Sequence, residues 1–153
     1  MDELDNFAIK HNIPVTQTVM GYSTMKKDHS HFVGPIGGLG GKAANNLAKE
    51  TDLAICIGTK LADFTTGSWA NFENPEFKLV SINIARHDAN KHLAEAVIGD
   101  AKVTLTELSN AIGDWKSSDS WHKKSQVELK SWNEYVDKES GPTNQELPSY
   151  AHA

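Results

Sequence analysis

The stretch Leu53-Ala54-Ile55-Cys56-Ile57-Gly58-Thr59-Lys60-Leu61-Ala62-Asp63-Phe64-Thr65-Thr66-Gly67-Ser68-Trp69 decides the fold. Its first five residues are an uninterrupted apolar run, the pattern of a strand buried on both faces of a parallel sheet. Gly58 ends the run, and a polar loop opens with Thr59, Lys60 and Asp63. In an open α/β sheet, ligands sit just outside the carboxyl ends of the strands. This loop is therefore the first place to look for binding or chemistry.

Upstream, Asp2 to His11 sets Leu4, Phe7, Ala8 and His11 at helical spacing, with Asn12 as a stop. Ile13 to Val19 reads as a strand, with Pro14 tolerable near its start. In a doubly wound fold such a helix follows a first strand, and none stands before Asp2. The expectation is a domain entered from inside, N-terminally truncated and lacking its first strand. Gly21 to Gly41 reads as loop, with five glycines between Gly34 and Gly41. Lys42 to Glu50 reads as a helix whose Ala43, Ala44, Leu47 and Ala48 form a narrow face able to lie close to a sheet.

Downstream, Trp69 to Phe72 suggests a short helix broken at Asn74-Pro75. Leu79 to Ile84 is the next strand, Ala85 to Leu93 a loop or short helix, and Ala96-Val97-Ile98 a third apolar run. Asp100 is placed to cap a helix using Leu105, Leu108 and Ile112 and ending at Gly113. This alternation predicts a Rossmann-like, doubly wound parallel sheet in a three-layer αβα arrangement. In the common order 2-1-3-4-5, the absent strand would sit between the Ile13–Val19 and Leu53–Ile57 strands. Either those two strands pair directly or an oligomer fills the gap.

Composition changes after Trp115. Ser117 to Ser120 supplies a linker and a cap. Trp121 to Ser140 is a charged helix with Leu129, Trp132 and Val136 on one face, stopped by Gly141-Pro142. Three of the four tryptophans lie between Trp115 and Trp132, and packing back on the sheet is the simplest use for them. Leu147 to Ala153 begins a further helical element. The division is thus residues 1–114 as the sheet domain and 115–153 as a C-terminal helical arm leading to another domain.

The chain has 153 residues, 39% hydrophobic and 23% charged, which is ordinary for one globular domain. A net charge of −5 with scattered Lys and Arg argues against nucleic acid or an anionic membrane surface as partner. No apolar run approaches the roughly 18 residues of a membrane span, and no signal-peptide pattern follows Met1. The cytoplasm is the compartment these features imply. Cys56, the single cysteine, lies inside the central apolar run and reads as a buried structural thiol.

Gly38-x-Gly40-x-x-Ala43 matches the dinucleotide fingerprint formally, but the fingerprint needs a strand immediately before it and Asp28 to Gly37 reads as loop. Gly41-Lys42 is not a P-loop, because Ala43 replaces the Ser/Thr and Ile36 the first glycine. Free N–H groups at that helix start could suit an anion, but close packing on the sheet is the simpler use of the glycines. Asp28-His29-Ser30-His31 and the set His87, Asp88, His92 lack a further metal ligand and read as solvated loops. Gly67-Ser68-Trp69 is no nucleophile elbow. In Gly99-Asp100-Ala101, Ala101 replaces the second glycine of the Gly-Asp-Gly that starts a magnesium–diphosphate motif. The residues hold no complete catalytic set.

Taken in order, His29, Phe32-Val33-Gly34-Pro35-Ile36-Gly37, the helix from Lys42, Asp52 to Gly58, Asp63 to Trp69, the strand to Ile84 and Gly99-Asp100-Ala101 form an ensemble. It resembles the central domain of thiamine-diphosphate-dependent enzymes, the group that includes acetohydroxyacid synthase and pyruvate oxidase. The pairing of Phe32–Gly37 with Asp63–Ser68 is most similar to the branch of myo-inositol catabolism that opens the ring of trihydroxycyclohexane-1,2-dione. The resemblance covers about residues 2–112.

The resemblance implies a parent hydrolase using thiamine diphosphate and Mg²⁺ held outside this chain. A preceding domain would supply the activating glutamate and a following one the Gly-Asp-Gly motif. These missing N- and C-terminal domains, and further copies in a homo-oligomer, are the implied partners. Relatives that carry FAD or ADP hold it on these loops. Here Ser30 follows His29 where proline is common, Lys60 replaces an arginine, and Asn83 and Ala85 replace two acids. The departures leave Gly58, Lys60 and Asp63 as a vestigial or weak nucleotide site. The resemblance implies that the chain alone is inactive; the alternative function is a stand-alone FAD, ADP or NAD module.

Overall fold

The structure is a computed structural model and describes residues 2–141. The expected stop at Pro142 and the element from Leu147 to Ala153 lie outside those residues. Helix α1 (Asp2–His11) has acids in its first turn and Lys10 and His11 in its last, the charge order that complements the helix dipole. It ends at Asn12, whose φ of 55° is left-handed. Strand β1 follows, but only over Val15–Gln17. The expected strand to Val19 is cut short because Val19–Gly21 forms a 3₁₀ turn capped by the Thr18 side chain.

Strand β2 (Phe32–Pro35) lies inside the segment read from sequence as loop. It pairs in parallel with β1, matching Val15 to Phe32, Thr16 to Gly34 and Gln17 to Pro35, with an irregularity between Val15 and Thr16. Pro35 is the last residue of this edge strand, where its missing N–H costs little. Phe32 and Val33 point to opposite faces, as strand alternation requires. Phe32 packs with Ala8 of α1, Met25 and Val15. Val33 packs with Ala43 and Leu47 of helix α2 (Lys42–Glu50). Helices therefore cover both faces.

The second sheet has three parallel strands in the order β3 (Leu53–Ile57), β4 (Lys78–Asn83), β5 (Glu95–Ile98). Register runs Leu53 to Lys78 through Ile57 to Ile82, then Val80 to Glu95 through Asn83 to Ile98. Strand β4 is central, and Leu79, Ser81, Ile82 and Asn83 are buried. Strand β3 was expected to be buried on both faces. It is half-buried, and Leu53 is 44% exposed, because among the described residues β4 is its only paired neighbour. No ladder joins the two sheets among the described residues. The direct pairing of β1 with β3, one of the two expected closures, is absent.

Helix α3 occupies Asp63–Thr66, earlier than the helix expected at Trp69 to Phe72, which is a run of turns. Helix α4 (Arg86–Ala89) and a 3₁₀ turn at Lys91–Leu93 connect β4 to β5. Helix α5 (Ala101–Ile112) starts at Asp100, whose side chain accepts from the Val103 N–H at 3.1 Å. It packs on α1. There the buried His11 ring reaches the Ser109 hydroxyl and the Trp115 carbonyl, both at 2.8 Å.

Helix α6 (Asp119–Glu139) is capped by the Ser118 hydroxyl and lies on α2 and β2. Trp121, Leu129 and Trp132 cover the Val33–Ala43–Leu47 cluster, so two of the three clustered tryptophans pack back on the sheet domain. Trp115 stays 54% exposed. The Asn46 amide to Glu128 (2.9 Å) and the Lys124–Glu50 ion pair flank this contact. Replacing Leu47 with alanine would open a cavity beneath α6. The expected loss is about 2–5 kcal/mol, read as a lower urea midpoint.

Candidate functional site

The candidate site lies at the carboxyl end of β3 and β4. Gly58 turns the chain with φ +62°, and its N–H donates to the Ile82 carbonyl at 2.9 Å. A Cβ there would meet nothing within 4 Å, so the position is open. Lys60 is exposed and its charge reaches Asp88 of α4. The Asp88 carboxyl is held below its ordinary value, first by its hydrogen bond from Lys91 and further by the lysine charges. Asp63 is exposed and begins α3, its carbonyl accepting from the Ser68 N–H and the Thr66 hydroxyl. Gly58, Lys60 and Asp63 thus share one edge of the sheet.

Asn83 is buried and bonded on both sides of its amide. Its Nδ2 donates to the Thr59 carbonyl at 3.1 Å and its Oδ1 accepts from the Ala85 N–H at 2.9 Å. The side chain fixes the β3 loop against β4.

Backbone strain gathers here. Leu61, Ser68, Trp69, His92 and Leu93 all have positive φ without being glycine, and such conformations cost of order 1–3 kcal/mol each. They hold because the loops clamp one another. His92 meets the Leu61 carbonyl at 3.1 Å and stacks on Trp69 at 4.2 Å between centroids.

The glycine-rich segment is clamped to the same loops. Gly37 (φ +107°) lies so close that an added Cβ would be 2.5 Å from the Phe64 carbonyl. The Gly38 N–H donates to that carbonyl at 2.8 Å. Asn45 of α2 bonds both backbone groups of Gly37 and receives the Asn71 amide at 3.2 Å. The Gly40 and Gly41 N–H groups go to the Gly37 and Pro35 carbonyls, and Trp132 covers Gly41. The glycine N–H groups are therefore used within the protein, and close packing accounts for these glycines. Asn45 and Asn71 were missed from sequence, where nothing marks two surface-type amides as partners of a loop.

Burial pushes the Cys56 thiol up to about 12, which suits a structural residue and not a nucleophile. Among the described residues, no group of three or more His, Cys, Asp or Glu side chains is arranged to hold a metal ion.

With this geometry in place, the comparisons with known proteins are specific. The family described as thiamine pyrophosphate enzyme, central domain, matches residues 1–108. The chain belongs to that family. It is 43% identical over 107 residues to the 3D-(3,5/4)-trihydroxycyclohexane-1,2-dione hydrolase of Clostridium perfringens strain 13, covering 70% of this chain and 17% of that protein. It is 45% identical over 111 residues to 3D-(3,5/4)-trihydroxycyclohexane-1,2-dione hydrolase 2 of Bacillus cereus strain ZK, covering 72% and 17%. With the hydrolase of the same name from Bacillus anthracis the figures are 43% over 119 residues, 76% and 18%. The chain thus spans less than a fifth of the length of these relatives.

The family is named for thiamine pyrophosphate, and the residues of this chain do not fit a site for it. Asp100, in a Gly99-Asp100-Ala101 stretch that lacks the second glycine of a Gly-Asp-Gly pattern, is used as the cap of α5, and no metal-holding cluster stands beside it among the described residues.

Two expectations follow. Gly37→Ala meets backbone and should cost well over 2 kcal/mol, whereas Gly58→Ala, in open space, should cost only the left-handed penalty of about 1–2 kcal/mol; urea denaturation separates them. Asn83→Asp sets a carboxylate against the Thr59 carbonyl and should cost about 1–3 kcal/mol at neutral pH. Only the protonated acid can donate there, so its folded pKa lies above the unfolded one. The variant should match the parent below the unfolded carboxyl pKa and lose stability as pH rises through the folded value.

Proposed function

We propose that this chain is the central domain of a thiamine-diphosphate-dependent hydrolase that opens the ring of trihydroxycyclohexane-1,2-dione in inositol degradation. The observation that carries the reading is the clamp just described. Phe32–Gly37 and Asp63–Trp69, the stretches that resemble the inositol branch, meet where Gly37 lies against the Phe64 and Thr65 backbone, and the next residue, Gly38, donates to the Phe64 carbonyl. The 43–45% identity to hydrolases so named supports the same assignment.

In this reading residues 1–114 are the domain and residues 115–153 the linker to the next one. The domain's work is structural. Thiamine carries the carbonyl chemistry, with Mg²⁺ and diphosphate held by other domains of the longer polypeptide. That polypeptide also offers the segment that closes the open edges of β1 and β3. Further copies in a homo-oligomer, in the cytoplasm, complete the assembly. No helix among the described residues is long and apolar enough to cross a membrane.

The openness around Gly58 and the exposed Lys60 favour a residual nucleotide function. Gly58, Lys60 and Asp63 would take FAD or ADP weakly, the adenylate phosphates facing Lys60. The engaged Asn83 amide limits affinity on the sugar side. If the chain instead acts as a stand-alone module, the same three residues would bind FAD, ADP or NAD without thiamine chemistry.

The purified chain should show no thiamine-dependent cleavage of the cyclic dione, and activity should require the domains that the longer relatives carry. Turnover by the chain alone would refute the assignment of its role. Calorimetric titration with FAD, ADP and NAD should give weak binding at most, reduced about tenfold by Lys60→Ala, the order expected for loss of one charge-assisted contact. Tight NAD binding would favour the stand-alone module.

A further inference from the structure

We propose that the His29–His31–His122 cluster forms a pH-sensitive clasp that holds α6 on the sheet domain while the His31 ring is neutral and releases it when that ring is protonated. His31 immediately precedes β2, and His122 lies in the first turn of α6. Their rings stack with centroids 4.3 Å apart at 29°, and His29 lies 5.7 Å from His31 on the other side. The contact joins segments 91 residues apart in sequence, and one of its members belongs to the helix that covers α2.

The hydrogen bonds fix His31 as a neutral ring. The Asn12 amide donates to the Ser117 carbonyl and to Asp119 Oδ1, both at 3.2 Å, which leaves Asn12 Oδ1 as an acceptor. His31 Nε2 lies 3.3 Å from that oxygen and must carry the hydrogen. Nδ1 then accepts from the Ser30 hydroxyl at 3.0 Å. A proton added at Nδ1 would require the Ser30 hydroxyl to turn and accept, and would set a buried positive charge against the stacked His122 ring. His29 Nδ1 accepts from the His31 N–H at 3.1 Å, while His29 Nε2 and His122 Nδ1 are buried without a partner.

Charge around the cluster offers little compensation. From α6 come Asp119, which is already bonded to the Asn12 amide, and Gln126, whose amide is spent on the Ser30 carbonyl. Lys124 on the same helix pairs with Glu50, and Lys123 adds positive charge in sequence beside His122. The loop brings Lys26, Lys27 and Asp28. From α1, the His11 ring is occupied by Ser109 and Trp115. None of the three clasp rings forms an ion pair among the described residues.

Burial, then the His122 and His29 rings, draw the His31 pKa down to about 4 from 6.5. The sign follows from that direction. A ring that resists protonation when docked and titrates ordinarily when freed stabilises docking fully above its free pKa. That stabilisation falls as pH drops below the free value, and the fall ends near the docked value. The sensitive window is therefore mildly acidic. Opening would also uncover Gly41 and the Val33–Leu47 face, which α6 now covers through Trp132.

Hydrogen exchange of α6 amides, expressed as protection factors in the 153-residue chain, tests this. Between about pH 7 and pH 5, protection should fall roughly tenfold or more. His31→Phe keeps a flat ring against His122 and cannot be protonated, so its α6 protection should change less than about twofold over the same range. Flat protection in the parent, or a parallel loss in the variant, would overturn the clasp. Should the variant fail to fold, the parent's His31 Cε1–H resonance decides. A midpoint well below the ordinary value supports the proposal, and one at about 6.5 overturns it.

Discussion

The close approach of α2 to both β2 and α6 is the constraint on which the N-terminal half of the molecule depends. Ala43, Ala44 and Ala48 leave α2 narrow on its buried side, and Leu47 fills the space that remains. On one flank Val33 meets it, and on the other Trp121, Leu129 and Trp132. A tryptophan can bury roughly 150–250 Å², or about 4–6 kcal/mol gross at ~25 cal/mol/Å². The two here are only partly buried, so that figure is a ceiling for each. The geometry sets the glycines too. Gly41 lies under the Trp132 ring, and Gly40 folds back on Pro35 and Ile36. A larger residue at either position would push the elements apart.

The same packing occupies the N–H groups of the glycine-rich segment. Gly37, Gly38, Gly40 and Gly41 all donate their N–H groups within the protein. Their partners, Phe64 and Asn45 among them, connect the start of α2 to the loop after β3. Left-handed Leu61, Ser68, Trp69, His92 and Leu93 lie on that loop or the one after β4. The carboxyl edge is thus a strained but mutually braced platform. Gly58, Lys60 and Asp63 are exposed on it.

Much of this was legible because periodicity and capping are local. The bounds of α2 and of β3 agree with the sequence reading, as does the Asp100 cap. Strand β2 was not legible, since Gly34-Pro35 reads as a turn and only pairing with β1 makes Phe32–Pro35 a strand. Apolar content showed that β3 is a strand but could not show how much of it is covered. That depends on which neighbours it finds. At the candidate site, Gly58, Lys60 and Asp63 follow the carboxyl end of β3, where the rule of strand ends directs attention. Asn45, Asn71 and the His31–His122 stack escaped because each contact joins distant segments. The His29-Ser30-His31 segment was read as a solvated loop, whereas His31 is buried and stacks on an imidazole from a helix 91 residues later.

The split between the β1–β2 pair and the β3–β4–β5 sheet bears on how the chain unfolds. A continuous sheet melts as one unit because each ladder is shared. Here no ladder crosses the middle among the described residues, so cooperativity must pass through other contacts. The Gly38–Phe64 hydrogen bond and the Ile36–Ala44–Ala48 cluster with Phe72 provide one bridge. On the opposite face α1 joins α5, where His11 meets Ser109 and Glu3 meets Lys102. These few bridges set whether the halves open together or in turn. The length of sequence that behaves as a single folding unit is therefore decided by side chains at the seam.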